Sequence, residues 1–281
     1  MKLIIHGGFF SESNTNIEIK IAKQASLKNI ASEAYKFLLN NTALDTVIFA
    51  TRLLENDPLF NAGTGSQIQS DGKIRLSASL MEGNTSKFSG LINIQDIKNP
   101  IVLCKTLLAT DDRVLSGDEA LNFAKLNNIP YYNPEIPQRR AEYEAKLLQS
   151  KGLGTVGCVA LDAHKNLAAA TSTGGKGFEI PGRVSDSATV AGNYANKFAG
   201  ISCTGVGEDI VSAALACKIV TRVSDGFSLK EASEKSFVEL KEFDGFAGII
   251  GISVNGEMYH CDSHPYMVWA AHDGEMLSCF S

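Results

Sequence analysis

No stretch of this 281-residue sequence approaches the ~20 consecutive apolar residues that a membrane-crossing helix needs. There is no surplus of positive charge either. Lys and Arg number 26 against 31 Asp and Glu, a net charge of −5, so nothing in the composition gathers phosphates, and nucleic acid is excluded as a partner. The six cysteines (104, 158, 203, 217, 261 and 279) form no CxxC pair, which removes the usual zinc spacing. Cys158 and Cys203 fall in runs predicted as buried strands, where cysteine acts as a small hydrophobe. The histidines (6, 164, 260, 264 and 272) make no HExxH or triad-like pattern and read as structural or surface residues. MKLIIHGG at the start lacks the long apolar region of a signal peptide, and a cytoplasmic protein with reduced thiols is the expectation.

What is present is enough for one large core, since 44% of the residues are hydrophobic. A short buried strand over 3–5 ends at His6-Gly7-Gly8, and apolar spacing predicts a helix over 17–40. Asp45 is a candidate cap for a helix over 47–54. A glycine-rich polar loop, Asn61-Ala62-Gly63-Thr64-Gly65-Ser66, precedes a turn at 70–73 and strands at 73–81 and 88–94. Helices follow Pro100 and the capping box Ser116-x-x-Glu119. Prolines and charges mark 133–153 as a connector. Beyond it come strands at 155–161, 167–172 and 200–203, a helix over 208–222, and a second capping box at Ser228-x-x-Glu231. A strand at 247–254 turns through Asn255-Gly256 into 257–261. Nearly continuous apolar strands bracketed by helices predict a mixed α/β fold with strands covered on both faces.

The chemistry centres on Gly154-Thr155-Val156-Gly157. Threonine is a weak nucleophile unless a base lies beside it, and an N-terminal threonine carries its own base, the α-amine. That amine has a pKa of about 7.7–8.0, suited to general-base work near neutrality. Thr155 is internal, so this chemistry requires the Gly154–Thr155 bond to be cut. GTVGCVALDAHKNLAAATSTGG, followed by PGRVSDS and SCTGVGED, resembles the plant-type L-asparaginase/isoaspartyl peptidase family, N-terminal-nucleophile hydrolases that cleave themselves before such a threonine. The resemblance extends from IIHGG to GFAGIIGISVNGE.

This resemblance implies an α+β fold, a four-layer αββα sandwich of N-terminal-nucleophile hydrolase type. It also implies a single domain over 1–281, processed into 1–154, with a connector over about 133–154, and 155–281. Thr155 is then the nucleophile and Thr173 orients it. Thr204 and Gly205 supply the oxyanion donors, and Asn61 stands beside the nucleophile. Arg183 and Asp186 hold the α-carboxylate and α-amine of an aspartyl substrate, with Gly207 and Gly175 lining the same pocket. Taken singly, these residues also have plain readings: a strand-opening threonine, an ordinary turn asparagine, a surface Arg–Asp pair. The loop from Leu54 matches one whose backbone carbonyls hold a sodium ion in relatives, here those of Leu54, Glu55, Asp57, Phe60, Ala62 and Thr64. No other cofactor is implied.

The activity implied is hydrolysis of β-aspartyl dipeptides and L-asparagine by a homodimer of α/β heterodimers. A glycosylasparaginase-like amidase and an unprocessed, non-catalytic relative are the alternatives. The chain departs from the family pattern at Phe9-Phe10, Ser77, Glu82, Ser185 and Ser263-His264-Pro265.

Overall fold

A computed structural model describes residues 1–9, 17–146, 154–243, 245–264 and 266–281. Phe10, Pro265 and connector positions 147–153 lie outside the described residues. Among the described residues the strands form two sheets. The larger holds β1 (Lys2–Phe9), β2 (Leu76–Glu82), β3 (Lys87–Ile94), β4 (Val114–Ser116), β5 (Val156–Leu161), β6 (Leu167–Thr173), β11 (Met267–His272) and β12 (Leu277–Cys279). Its order is β12-β11-β1-β5-β6-β2-β3-β4. The smaller runs β10 (Met258–Asp262), β9 (Ala247–Ser253), β8 (Ala199–Gly205), β7 (Asn193–Ala195). All pairings are antiparallel except β3 with β4.

β5 shows why these strands have no polar face. Val156, Cys158 and Ala160 point into a core shared with the helices, while Val159 and Leu161 point into the seam between the sheets. Side chains alternate with a period of two, so covering both faces demands apolar residues at every position. The helical core includes Leu27 and Leu38 of α1 (Ile17–Leu38), Val47 and Leu54 of α2 (Ala43–Asn56), and Leu107 of α3 (Pro100–Leu108). Helices α7 (Leu215–Ser224) and α8 (Leu229–Leu240) cover the other face of the small sheet through Ile219, Val220 and Leu240. Phe9 enters the seam against Phe246, ring centroids 4.4 Å apart, so this departure from the family pattern is a core residue.

Several expectations are corrected. Thr42 caps α2, its hydroxyl accepting from the Asp45 N–H at 3.1 Å, because the helix begins four residues before the expected start. Ser116 precedes α4 (Gly117–Leu126) but makes no side-chain cap. The helix expected over 208–222 is two, α6 (Gly207–Ala213) and α7, broken where Ala214 is left-handed at φ 49°. Part of the connector is α5 (Pro137–Lys146), tied down by Arg139 Nε donating to the Gly65 carbonyl at 2.7 Å. The Ser228–Glu231 capping box is present as expected.

Candidate active site

Gly154 and Thr155 lead directly into β5, which lies between β1 and β6. β1 presses on this junction through Gly8, whose φ is +85°. A Cβ there would sit 2.9 Å from Thr155 N and 3.0 Å from Gly154 Cα, so only glycine lets the backbones meet.

The Thr155 hydroxyl donates to Thr173 Oγ1 at 3.3 Å, and Thr173 ends the neighbouring β6. Thr173 Oγ1 in turn donates to the Gly154 carbonyl at 3.0 Å and accepts from the Gly175 N–H at 3.1 Å. Asn61 Nδ2 donates to the same Gly154 carbonyl at 2.8 Å and to the Gly175 carbonyl at 2.5 Å. Its other end is fixed, because Oδ1 accepts from the Gln67 N–H at 2.8 Å. Two donors therefore meet one carbonyl oxygen, and the hydroxyl of the next residue stands beside it. Such a pair polarises the carbonyl and stabilises the negative charge that forms there on nucleophilic addition.

Gly154, Thr155, Thr173 and Gly175 line a small cavity together with Arg183, Asp186, Gly205 and Gly207. Its free volume is about 10 Å³ with the chain intact. Thr204 is not in that lining; it precedes Gly205 on β8, with its hydroxyl buried and without a hydrogen-bond partner among the described residues. The carboxyl of Asp186 is buried, Oδ2 has no hydrogen-bond partner among the described residues, and burial pushes its pKa up to about 7 against the opposing pull of Arg183. A Cβ on Gly207 would lie 2.9 Å from both Asp186 Oδ1 and Arg183 Nη2, so glycine keeps the space between them open.

Arg183 is not paired with Asp186. Its Nε donates to Glu208 Oε1 at 2.6 Å and its Nη2 to Oε2 at 2.8 Å, and that bond holds the Glu208 carboxyl down at about 2. One edge of the guanidinium is thus anchored, while Nη1 and the remaining Nη2 proton form a second edge suited to a carboxylate. Glu208 was missed from sequence although it directly follows Gly207 in SCTGVGED; an acid in the first turn of a helix looks like ordinary dipole compensation.

His6 fits the structural half of the expectation for the histidines. It is fully buried, with Nε2 2.9 Å from Ser202 Oγ, which lies 2.7 Å from Thr171 Oγ1. Register sets it opposite Gly157, two residues past Thr155. Histidines 164, 260 and 264 are exposed, as expected, and His272 is half-buried. Burial lowers the His6 pKa from 6.5 to about 3. An unfolded chain binds a proton there below 6.5 and the folded protein does not, so this stability is present above 6.5 and drains as pH falls towards 3. The Tm of the wild type relative to His6→Gln should fall as pH drops across that window; a difference independent of pH would refute it. Glu55 acts in the opposite sense. Burial pushes its carboxyl from 4.5 up to about 8, so its contribution is present below 4.5 and lost as pH rises through 8.

The Glu55 side chain accepts from Ser172 Oγ at 2.7 Å, from Asn99 Nδ2 at 3.1 Å and from the Ile101 N–H at 3.2 Å. In the loop expected to hold sodium, the carbonyls of Leu54, Glu55 and Asp57 accept backbone N–H groups at 3.3, 2.8 and 3.2 Å. Among the described residues, no backbone N–H is bonded to those of Phe60, Ala62 or Thr64. Ser185 lines the small cavity, whereas Ser77 accepts from the Asn93 N–H at 3.0 Å. Glu82 bonds Thr85 at the end of β2, and Ser263 accepts from the Ala247 N–H at 2.9 Å.

A family model described as Asparaginase matches residues 1–280. An isoaspartyl peptidase/L-asparaginase from a Nostoc species is 43% identical over 296 residues, spanning 98% of this chain and 93% of that protein. One of the same name from a Synechocystis species is 44% identical over 294 residues, 98% and 89% of the two chains. The isoaspartyl peptidase of Escherichia coli is 36% identical over 281 residues, 91% of this chain and 88% of its own. With the match running the length of the chain, this protein belongs to the asparaginase family and is a hydrolase.

Proposed function

We propose that this protein cuts its own Gly154–Thr155 bond and then hydrolyses β-aspartyl dipeptides and L-asparagine through the freed Thr155. The observation carrying the reading is the Gly154 carbonyl, clasped by Asn61 and Thr173 beside the Thr155 hydroxyl. In self-cleavage Thr155 Oγ adds to that carbonyl carbon, the C–N bond breaks, and the chain is held as an ester. Water then releases the Gly154 carboxylate. The fragments are 1–154 and 155–281, and Thr155 gains a free amine.

In turnover that amine takes the hydroxyl proton as Oγ attacks the side-chain carbonyl of the substrate. Thr204 and Gly205 receive the oxyanion, the Thr204 hydroxyl being a buried donor without another partner. Ammonia or an amino acid leaves with the proton, and water hydrolyses the aspartyl ester. The open edge of Arg183 holds the α-carboxylate, and the Asp186 carboxylate holds the α-ammonium.

The two sheets with helices outside each support the four-layer αββα sandwich. Strands from both fragments alternate within the larger sheet, which supports a single domain whose fragments remain together. A homodimer of such pairs in the cytoplasm completes the reading. The loop carbonyls of Leu54, Glu55, Asp57, Phe60, Ala62 and Thr64 suit a hard cation, and a sodium ion there would brace the loop on both sides of Asn61. Purified protein should show two bands on denaturing electrophoresis and release aspartate from both substrates. One band with no aspartate released would reject the reading in favour of an unprocessed binding protein.

A further inference from the structure

Val156 of β5 and Ala170 of β6 enter one helical core, and Cys203 of β8 enters the other. Side chains alternate along a strand, so Thr155, Thr173 and Thr204 all turn the opposite way, into the seam between the sheets. Two residues inward from each, on the same face, stand Gly157, Thr171 and Ser202. These positions form a layer directly beneath the three threonines.

His6 fills that layer from β1, where Ile4 marks the face turned to the seam. Its Nε2 lies 2.9 Å from Ser202 Oγ, which lies 2.7 Å from Thr171 Oγ1. Gly157 gives the ring its room, since a Cβ there would overlap both His6 Nε2 and Ser202 Oγ. The Gly8 N–H donates to Nδ1 at 3.4 Å, which leaves the ring proton on Nε2. Thr171 Oγ1 donates to the Gly192 carbonyl at 3.4 Å. The hydrogen bonds therefore run one way, from the large sheet to the small one and back, before ending on Gly192. Around them the seam is apolar, with Ile4, Val159, Ala169 and Ile250. Apolar contacts are non-directional and let two sheets slip slightly, whereas buried hydrogen bonds fix a length and an angle.

We infer that His6 is a positioning residue: through Ser202 and Thr171 it locks β8, and with it Thr204 and Gly205, in place over Thr155. This rests on the reading that Thr204 and Gly205 receive the oxyanion in turnover, and adds what holds them there. His6 gives up no proton in the reaction; burial keeps its ring neutral. Self-cleavage depends on this lock far less, because the Gly154 carbonyl is held by Asn61 and Thr173 instead.

The test reads self-cleavage by intact mass, then steady-state kinetics of processed protein on L-asparagine and β-aspartyl-leucine. His6→Leu keeps bulk but loses the donor, and Ser202→Ala removes the middle of the chain with the smallest change. Each should lower kcat by about 10- to 100-fold, since a misplacement of about 1 Å costs about 10²-fold. KM should stay near the wild-type value, because Arg183 and Asp186 grip the substrate from outside β8, and self-cleavage should slow less than kcat. His6→Gln returns an amide N–H close to the place of Nε2 and should recover most of the lost kcat. The combination of His6→Leu with Ser202→Ala should lose no more than the worse of the two alone. If His6→Leu does not fold, Ser202→Ala decides by the same readouts. A lowered Tm with wild-type kcat in Ser202→Ala, or His6→Gln as poor as His6→Leu, would overturn the positioning role. A wild type that processes but releases no aspartate would instead overturn the hydrolase reading, and the role with it.

Discussion

Thr155→Ala should remain one chain of 281 residues and turn over neither β-aspartyl-leucine nor L-asparagine. The substitution removes the hydroxyl proposed to attack the Gly154 carbonyl while leaving Asn61 and Thr173 donating to it at 2.8 and 3.0 Å. Folding should survive, because Thr155 loses one long hydrogen bond, at 3.3 Å, and its backbone enters β5 unchanged. Removal of a catalytic hydroxyl elsewhere costs about 10⁶-fold in kcat, and here the same atom serves both reactions, so no activity should be measurable. Thr155→Ser restores the hydroxyl and should cleave again. Asn61→Ala keeps the nucleophile but removes one of two donors to the carbonyl, so cleavage should slow by about 10²–10³-fold. Intact-mass spectrometry over a time course reads all three. A new N-terminus at any residue other than Thr155, or cleavage in Thr155→Ala, would remove the basis of the mechanism.

Arg183→Lys should lower kcat/KM on both substrates by roughly 10- to 150-fold, the effect of losing about 1.5–3 kcal/mol of charged hydrogen bonding in a closed site. Charge is conserved in this variant, so the loss must come from geometry. Arg183 is asked to face two carboxylates at once, Glu208 along its Nε edge and the substrate along the other. A lysine ammonium is a point charge and will satisfy Glu208 or the substrate, but not both in plane. Self-cleavage should be affected less, since the scissile bond presents no α-carboxylate to this arginine. Asp186→Asn should impair turnover through the ammonium end and leave the fragments folded. Steady-state kinetics on already processed variants decides it. Wild-type values for Arg183→Lys on both substrates would mean that the guanidinium serves only its ion pair with Glu208.

Most of the surroundings of Thr155 could be read from the chain because the groups sit at fixed distances along two adjacent strands. Thr155 and Thr173 flank a hairpin whose register is set by its short turn, so proximity along the sequence becomes proximity in space. Asn61 was legible only as part of a motif, and its two-ended hold on Gly154 and Gln67 belongs to the folded loop. Secondary structure was less legible at its edges. The short strands β4, β7 and β12 carry too few residues to show a period, and the break at Ala214 lies in a pattern that periodicity reads as one helix.

By itself the sequence determined the family, the bond proposed for cleavage and the residue types available for chemistry. Hydroxyls, an arginine fork and glycines act through their covalent nature and their spacing. Tertiary structure alone decided the partnerships. It placed Glu208 rather than Asp186 on Arg183, left one oxygen of the buried Asp186 carboxyl without a partner among the described residues, and set His6 behind the Thr155 strand against Ser202. Those choices depend on which side chains share a low-dielectric pocket after two sheets close on each other. Linear order cannot specify that, because the strength and even the sign of each electrostatic effect are set by burial and distance.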